Sequence, residues 1–397
     1  MNKQELAAQI WKGANEMRGK IEAGNYKNFI LGLLFYKFLS ENEVKYLKDN
    51  LGASKEDLAA EDVKTYLIDN LGYYIPEENL FSSMMGKDKG MNIGSLSATL
   101  SNFNLVTLEN PLFSNIFRSL NAGLMSLGEN DATRSQMIVK LARLIDNIPM
   151  KNAGGYDVLG FIYEYLIGQF ASSAGKKAGE FYTPHEVSEL MAEIVAYSLK
   201  DRERISVYDP TSGSGSLLIT IGKAIEKQGK STDSIRYFAQ EIIEATYNLT
   251  RMNLVMRGII RDNISTSNND TLRNDWPRNT LKDEPLLVDA VVSNPPYSLK
   301  WNPDGMAADP RFQNYGLAPK SAADFAFLLH DLYHLKYDGI LTIVLPHGVL
   351  FRGGEEERIR TQLLKLNQID AVIGLPPNIF FGTGIPTIIM VLRKSRE

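Results

Sequence analysis

Val207-Tyr208-Asp209-Pro210-Thr211-Ser212-Gly213-Ser214-Gly215-Ser216-Leu217-Leu218 reads as the end of a strand, a glycine-bearing turn and the start of a helix. The first strand of an open α/β sheet ends at the ligand crevice. Gly213 and Gly215 let the backbone pass close to a bound molecule. The turn is not a phosphate cradle of the P-loop kind, because no Gly-Lys-Ser/Thr follows it. Asp209 at the strand tip suits a cationic or amine-bearing ligand better than a pyrophosphate. Taken alone, such a turn serves packing in many sheets, so its meaning depends on what surrounds it.

Around this stretch, short β-branched runs alternate with longer helical segments. The runs are Ile205–Tyr208, Ile235–Ala239, Leu286–Val292, Gly339–Leu345, Ile369–Ile373 and Thr387–Leu392, with a weaker one near Asn263–Thr266. Alternation of this kind predicts a mostly parallel sheet covered by helices on both faces. The last two runs are separated by Pro376–Pro386, too short for a long helix, which permits an antiparallel pair at one edge. Residues 1–152 read as all-helical. The segment Phe29–Leu39 is apolar on nearly every face, as in a helix buried within a bundle, and Gln136–Ile148 is amphipathic. Met150-Lys151-Asn152-Ala153-Gly154-Gly155 reads as a hinge, giving an N-terminal helical domain over 1–152 and a second domain over 153–397.

The chain has 397 residues, long enough for two domains that each bury a core. Charged residues are 23% and hydrophobic residues 44%, an ordinary globular balance. With no cysteine, disulfides, thiolate catalysis and cysteine zinc sites are excluded. No apolar run of membrane-spanning length occurs and the first residues lack a signal-peptide layout, so a cytoplasmic location with no membrane partner is expected. The net charge of -4 gives no overall basic surplus for phosphate neutralisation. A DNA-binding role then needs a local basic face or a partner that supplies the contacts.

Two further acids lie at strand ends: Glu241 after the second, suited to a ribose diol, and Asp270, within Asn268-Asn269-Asp270-Thr271-Leu272 after the third, placed for an adenine amino group. The most specific segment is Asp289-Ala290-Val291-Val292-Ser293-Asn294-Pro295-Pro296-Tyr297. Two prolines fix the backbone and remove two N–H donors, leaving a rigid turn that projects carbonyl oxygens and the Asn294 amide. That suits methylation of an amino group conjugated to a ring. The Asn294 side-chain oxygen and the Pro295 carbonyl would each accept one amino hydrogen and aim the nitrogen lone pair at a methyl carbon. Tyr297 would stack on the base. In Gly179-Glu180-Phe181-Tyr182-Thr183-Pro184, Thr183 is the expected N-cap and Pro184 the first helical residue. His330 and His334, one helical turn apart, have metal-pair spacing but no third ligand in view, so they are expected to be a partly exposed helical pair and not a metal site. Ser298–Ser321, rich in Gly, Pro and Asp, reads as a lid or a long surface loop.

At these residues the chain resembles the modification subunit of type I restriction–modification systems, a branch of the N6-adenine DNA methyltransferases. The resemblance runs over nearly the whole sequence, through Asn25–Leu31, Gly179–Pro184, Asp209–Gly215, Asn294–Tyr297 and Phe381-Gly382-Thr383-Gly384-Ile385-Pro386-Thr387. It implies a seven-stranded, mostly parallel methyltransferase sheet behind an N-terminal helical domain. It implies S-adenosylmethionine contacts at Phe181, Tyr182, Thr183, Pro184, Asp209, Thr211, Ser212, Gly213, Ser214, Gly215, Glu241, Asp270 and Asn294. Asn294, Pro295, Pro296 and Tyr297 would form the catalytic segment, with Tyr297 and Phe381 against the flipped adenine. The implied partners are DNA, a specificity subunit that reads sequence, a second modification subunit joined through it, and a restriction subunit. Family members continue with a C-terminal helical region that helps dock the specificity subunit, whereas this sequence stops at Leu392–Glu397, after the last expected strand. Three rival readings are methylation of another amide or amine such as a protein glutamine, cytosine N4 methylation (where a serine in place of Asn294 is more typical), and a non-catalytic scaffold.

Overall fold

The computed structural model describes all residues except 1–2, 18–22, 87–90, 150–157, 174–182, 260, 280, 381–383 and 397. The expected hinge at Met150–Gly155 therefore lies outside the described residues. The chain divides into two compact units, Met1–Ala174 with Arg251–Arg257, and Gly175–Thr250 with Gly258–Glu397.

The first unit is helical: α1 (Lys3–Met17), α2 (Ala23–Leu51), α3 (Glu61–Leu71), α4 (Phe81–Gly86), α5 (Ile93–Val106), α6 (Arg118–Gly123), α7 (Asp131–Asp146) and α8 (Val158–Ser173). α2 has the all-round apolar character expected of a buried helix, and Phe29, Ile30, Leu31, Leu34, Phe35 and Leu39 are all fully or almost fully buried. Its one long cation in that stretch is used on a neighbour. The Lys37 ammonium donates to the carbonyls of Ile145 (3.3 Å), Asp146 (2.7 Å) and Ile148 (2.7 Å), capping the carbonyl end of α7 where the helix dipole is negative. At its other end α7 begins with a reciprocal cap: Asn130 accepts from the Thr133 N–H at 3.0 Å and donates its own N–H to the Thr133 hydroxyl at 3.2 Å. Glu43 is buried and accepts the Ile75 N–H with both oxygens, and burial pushes its carboxyl up to about 9.

The second unit is a sheet with helices. Its strands are β1 (Ile205–Asp209), β2 (Ile235–Gln240), β3 (Ile264–Ser267), β6 (Val288–Ser293), β7 (Leu335–Pro346), β8 (Ile369–Gly374) and β9 (Thr387–Leu392), in the order β3-β2-β1-β6-β7-β9-β8. The pairs β1–β2, β2–β3, β1–β6 and β6–β7 are parallel, while β9 runs antiparallel to both β7 and β8. The expected antiparallel edge pair is thus present, with β9 inserted beside β7. A separate two-stranded ribbon, β4 (Arg278–Asn279) and β5 (Glu284–Pro285), was not visible in the sequence pattern. Helices α9 (His185–Ser198), α10 (Ser216–Lys227), α11 (Glu244–Met256), α12 (Asp324–Tyr333) and α13 (Glu355–Lys365) complete the chain.

Strand order reverses at β1, with β2 on one side and β6 on the other. A ligand crevice forms beyond the carboxyl ends of strands at such a point. Asp209 ends β1 and Asn294 follows β6, so the two motifs of the sequence flank this position.

Candidate functional site

The glycine turn begins where β1 stops. Gly213 and Gly215 have φ of 55° and 77°, the left-handed region that costs other residues about 1–2 kcal/mol. The turn is fastened from α11. Thr250, fully buried, donates its hydroxyl to the Gly213 carbonyl at 2.7 Å and lies 3.0 Å from the Ser212 hydroxyl. A Cβ on Gly215 would stand 3.3 Å from the Thr250 methyl. The Ser212 N–H donates to the Gln240 carbonyl at 2.9 Å, joining the turn to the end of β2.

Asp209 is buried. Its Oδ1 accepts the Thr211 N–H at 3.0 Å, while Oδ2 is buried with no hydrogen-bond partner among the described residues. Burial, with lesser contributions from Asp331 and Glu241, pushes this carboxyl well above the usual range. A buried acceptor left open at a strand tip is costly unless something binds it. Glu241 receives the Gly213 N–H (3.1 Å) and the Ile243 N–H (2.9 Å). Asp270 accepts the Leu272 N–H at 2.9 Å. The next residue, Thr271, donates its hydroxyl to the Pro210 carbonyl at 2.5 Å, which draws the segment after β3 to the tip of β1. The three acids expected at consecutive strand ends therefore lie at or after the ends of three adjacent strands, Asp209 ending β1, Glu241 directly after β2 and Asp270 three residues after β3. The open Asp209 oxygen and the two further acceptors fit a ligand carrying an ammonium, a ribose and an amino-bearing ring.

On the other side of the crevice, Asn294 is held from both directions. Its Nδ2 donates to the Thr183 hydroxyl at 3.0 Å, and its Oδ1 accepts the Tyr297 hydroxyl at 2.7 Å. Thr183 is not the N-cap that the sequence suggested. Pro184 occupies that position, with no side-chain cap, and α9 starts at His185. The Thr183 hydroxyl is spent on Asn294 instead. Tyr297 meets Phe380 edge-on, with ring centroids 5.9 Å apart. Burial, then the charge of Asp324, raises the Tyr297 phenol well above its ordinary value, so it acts as a neutral donor. Asp324 takes the Ser298 N–H at 2.8 Å and Arg352 Nη1 at 3.1 Å, fixing the backbone just after Tyr297. Of the expected site residues, Phe181, Tyr182 and Phe381 lie outside the described residues.

Beneath the crevice is a buried polar network. Tyr208 donates to Gln240 Oε1 at 2.7 Å and lies 2.9 Å from His330 Nε2, and His330 Nδ1 lies 3.1 Å from Arg311 Nη1. Arg311 also donates to the carbonyls of Thr271 (2.9 Å) and Leu272 (3.0 Å) and to Asp309 at 2.7 Å. The Ser298–Ser321 segment has no helix or strand and exposes many of its residues, as expected of a long surface loop, but it is anchored at several points and is not a free lid. Arg311 and Phe312 are buried, and Trp301 is tied to the carbonyls of Lys320 and Pro319. Nor are His330 and His334 partly exposed, for both are fully buried where α12 lies on the sheet. With Asp275 they bring three ligand-type atoms within 4.8 Å of one another. Every ring nitrogen already has a protein partner, though: Tyr208 and Arg311 for His330, Asp275 (2.9 Å) and the Leu286 carbonyl (3.1 Å) for His334. The cluster is a hydrogen-bond network. Burial alone would raise Asp275, but His334, Arg311 and Arg278 together bring its carboxyl below the usual value.

Sequence reasoning missed Thr250, Gln240, Arg311, Asp331 and Phe380. Asp331 is fully buried on α12, accepts the Ser293 hydroxyl at 2.5 Å through Oδ2 and has no partner for Oδ1 among the described residues. One signal was available for it: an acid inside the apolar run Asp324–Tyr333.

Residues 154–397 match the N-6 DNA methylase family and residues 6–141 match the HsdM N-terminal domain. The MpnII type I restriction enzyme methylase subunit of Mycoplasma pneumoniae is 36% identical, over 98% of this chain and 76% of its own length. The MjaIX methylase subunit of Methanocaldococcus jannaschii is 26% identical, over 99% and 70%. A crystal structure of a type I restriction–modification methyltransferase subunit from Streptococcus thermophilus superposes with a TM-score of 0.88 at 38% identity, covering 100% of this chain and 85% of that one. A Listeria monocytogenes protein assigned to the class I S-adenosylmethionine-dependent methyltransferases shares the fold, with a TM-score of 0.54 at 16% identity over 80% of this chain and 88% of that one. These matches support the adenine reading over the rival amide, cytosine and scaffold readings.

Proposed function

We propose that this chain, which belongs to the N-6 DNA methylase family and within it to the type I restriction enzyme methylase subunits, moves a methyl group from S-adenosylmethionine to the N6 amino group of an adenine turned out of duplex DNA, using the crevice between Asp209 and Asn294. Adenine-specific DNA methylation follows from the family; the roles of individual residues are our reading. S-adenosylmethionine supplies a methyl group already activated on a sulfonium. Asp209 Oδ2 accepts from the amino-acid ammonium of that molecule. Glu241 accepts from the ribose hydroxyls and Asp270 from the adenine amino group, while Thr211, Ser212, Gly213, Ser214 and Gly215 line the backbone that passes beneath, and Phe181, Tyr182, Thr183 and Pro184 close the methionine end.

The observation that carries this reading is Asn294, fixed by Thr183 and Tyr297 at the end of β6, next to the strand whose tip presents the unpartnered Asp209 oxygen. With its orientation set, Asn294 Oδ1 accepts one amino hydrogen of the substrate, and the Pro295 carbonyl takes the other. Both contacts strengthen as the nitrogen pyramidalises, so they lower the barrier more than they improve binding. Tyr297 stacks on the base beside Phe380; Phe381, outside the described residues, is a further proposed contact of the base. We keep a helical domain over 1–152 and a catalytic domain over 153–397 as part of this proposal, in line with the family matches at 6–141 and 154–397, although by packing α8 belongs to the first compact unit. The net charge of -4 supports reliance on a specificity subunit for DNA contacts and sequence reading; a second modification subunit and a restriction subunit complete the proposed complex by likeness to the family. Among the described residues no helix is long and apolar enough to cross a membrane.

The test is transfer of tritiated methyl to DNA by the chain co-expressed with its specificity subunit, followed by nucleoside analysis. N6-methyladenine is the expected product; N4-methylcytosine, or label in protein alone, would overturn the proposal.

A further inference from the structure

Ser298, the residue that follows Asn294–Tyr297, has a φ of 53°, in the left-handed region. A residue with a Cβ stays there only where its surroundings hold it. Ser298 is exposed, so the hold comes through its backbone. Its N–H donates to Asp324 Oδ1 at 2.8 Å, and the Leu299 carbonyl accepts the Ala323 N–H, also at 2.8 Å. Both residues after Tyr297 are thus clamped to the start of α12, a helix whose Phe325, Ala326, Leu328 and Leu329 are buried. Asp324 is itself fully buried. Its Oδ2 accepts Arg352 Nη1 at 3.1 Å, and the same Nη1 donates to the buried Glu356 at 3.1 Å. Gly348 makes room for this guanidinium, since a Cβ there would stand 2.6 Å from it. Burial raises the Asp324 carboxyl above its ordinary value, and the Ser298 N–H and Arg352 limit the rise.

Arg352 and the two acids satisfy one another without Ser298, and a loop serine left to itself relaxes to negative φ. The bond from Ser298 to Asp324 therefore serves the segment before it. Strained backbone gathers where local geometry is part of function. We propose that Asp324 is a positioning residue for methyl transfer: it holds Ser298 left-handed, which fixes how the chain leaves Tyr297 and keeps the Tyr297 hydroxyl on Asn294 Oδ1. The inference rests on the adenine reading above, which gives Asn294 its acceptor role. Were Ser298 to relax, the Tyr297 ring and hydroxyl would move together, in a reaction where an error of about 1 Å can cost about 10²-fold. The loss should therefore exceed that from deleting the Tyr297 hydroxyl alone. The proposed cofactor contacts Asp209, Glu241 and Asp270 stand at or after the ends of β1, β2 and β3 and should not feel the change.

The test uses the chain co-expressed with its specificity subunit, and measures single-turnover methylation of duplex DNA together with S-adenosylmethionine affinity by calorimetry. Asp324→Ala should slow methylation by about tenfold or more while cofactor affinity stays within about threefold. Adding Ser298→Gly to that variant should recover most of the loss, because glycine takes a φ of 53° without steric cost. Ser298→Val leaves Asp324 and Arg352 untouched and should slow methylation by a similar factor, since a β-branched residue resists that angle. It decides the matter if Asp324→Ala does not fold. A role confined to the ion pair with Arg352 gives the opposite pattern: Ser298→Val at the wild-type rate, and an Asp324→Ala loss that Ser298→Gly does not relieve. Either result overturns the proposal, as does a matching loss of cofactor affinity, which marks a general loosening of the fold. A wild-type complex that makes no N6-methyladenine overturns the adenine reading and this inference with it.

Discussion

The Tyr297 hydroxyl donates to Asn294 Oδ1 at 2.7 Å, so the side chain expected to stack on the base also orients the amide expected to accept its amino hydrogen. Asn294→Ala should leave cofactor affinity within about threefold and lower single-turnover methylation by about 10²–10³, by analogy with removing one preorganised hydrogen bond from a developing charge. Tyr297→Phe keeps the ring and deletes the orienting bond, at a cost of about 1 kcal/mol or about fivefold in rate. Equal rates for Asn294→Ala and wild type would remove Asn294 from the chemistry.

Asp209 is buried with an unpartnered oxygen, an arrangement that suits binding better than stability. Asp209→Asn should raise the thermal midpoint of the cofactor-free protein near neutral pH, because the wild-type fold must take up a proton there to keep this buried carboxyl neutral and an amide need not. The same change should weaken S-adenosylmethionine binding by roughly tenfold or more, as a charged hydrogen bond is lost. Calorimetry of both quantities checks the pairing. A variant with lower stability and unchanged affinity would contradict it.

Burial pushes Asp331 from 3.8 up to about 8. The folded state therefore holds this proton more tightly than the unfolded chain. The stabilisation is fully present below about pH 4 and is lost as pH rises towards 8. Asp331→Asn has no such titration. Its stability relative to wild type should climb through that window, with a slope of up to about 1.4 kcal/mol per pH unit, and level off above it. Urea unfolding of both proteins across this range gives the comparison, and parallel curves would mean that Asp331 keeps an ordinary pKa.

Arg311 links Asp309, His330 and the carbonyls of Thr271 and Leu272. Arg311→Met should cost about 3–5 kcal/mol, because it strands a carboxylate and three acceptors in the interior. Since Thr271 and Leu272 follow Asp270, the KM for S-adenosylmethionine should rise more than the KM for DNA. A uniform loss of both would reduce Arg311 to a purely structural role.

Much of the second unit was legible because strands advertise themselves by composition. β9 was read to the residue, and β1, β2 and β8 to within one residue at their ends. β7 was read from Gly339, yet it starts at Leu335, since Lys336-Tyr337-Asp338-Gly339 has the composition of a turn. Its register with β6 shifts there, between Val288 and Ala290. Asp209 and Asn294 were found because each breaks an apolar run at its end. The supporting residues were not. Thr250 and Gln240 are ordinary in sequence and gain meaning only from neighbours that topology brings to them. His330 and His334 were misplaced for a related reason: helical spacing sets which face they share, whereas what covers that face depends on the sheet.

The buried chain from Arg311 through His330 and Tyr208 to Gln240 has a sense of direction. Arginine can only donate, so His330 Nδ1 accepts and the ring proton sits on Nε2. Nε2 then donates to Tyr208, the one phenolic proton passes to Gln240 Oε1, and the Gln240 amide nitrogen is turned to the Asn274 carbonyl at 3.2 Å. Burial keeps His330 well below its usual pKa, so no second ring proton arrives to reverse a link. A tautomer, a hydroxyl rotor and an amide orientation, each ordinarily free to take two or more states, are here assigned together by one cation at the start and one carbonyl at the end. Replacement within the chain is therefore governed by polarity before size. Gln240→Glu keeps the acceptor that Tyr208 needs, whereas an arginine or lysine at position 240 would set two donors against each other and scramble every assignment back to Arg311.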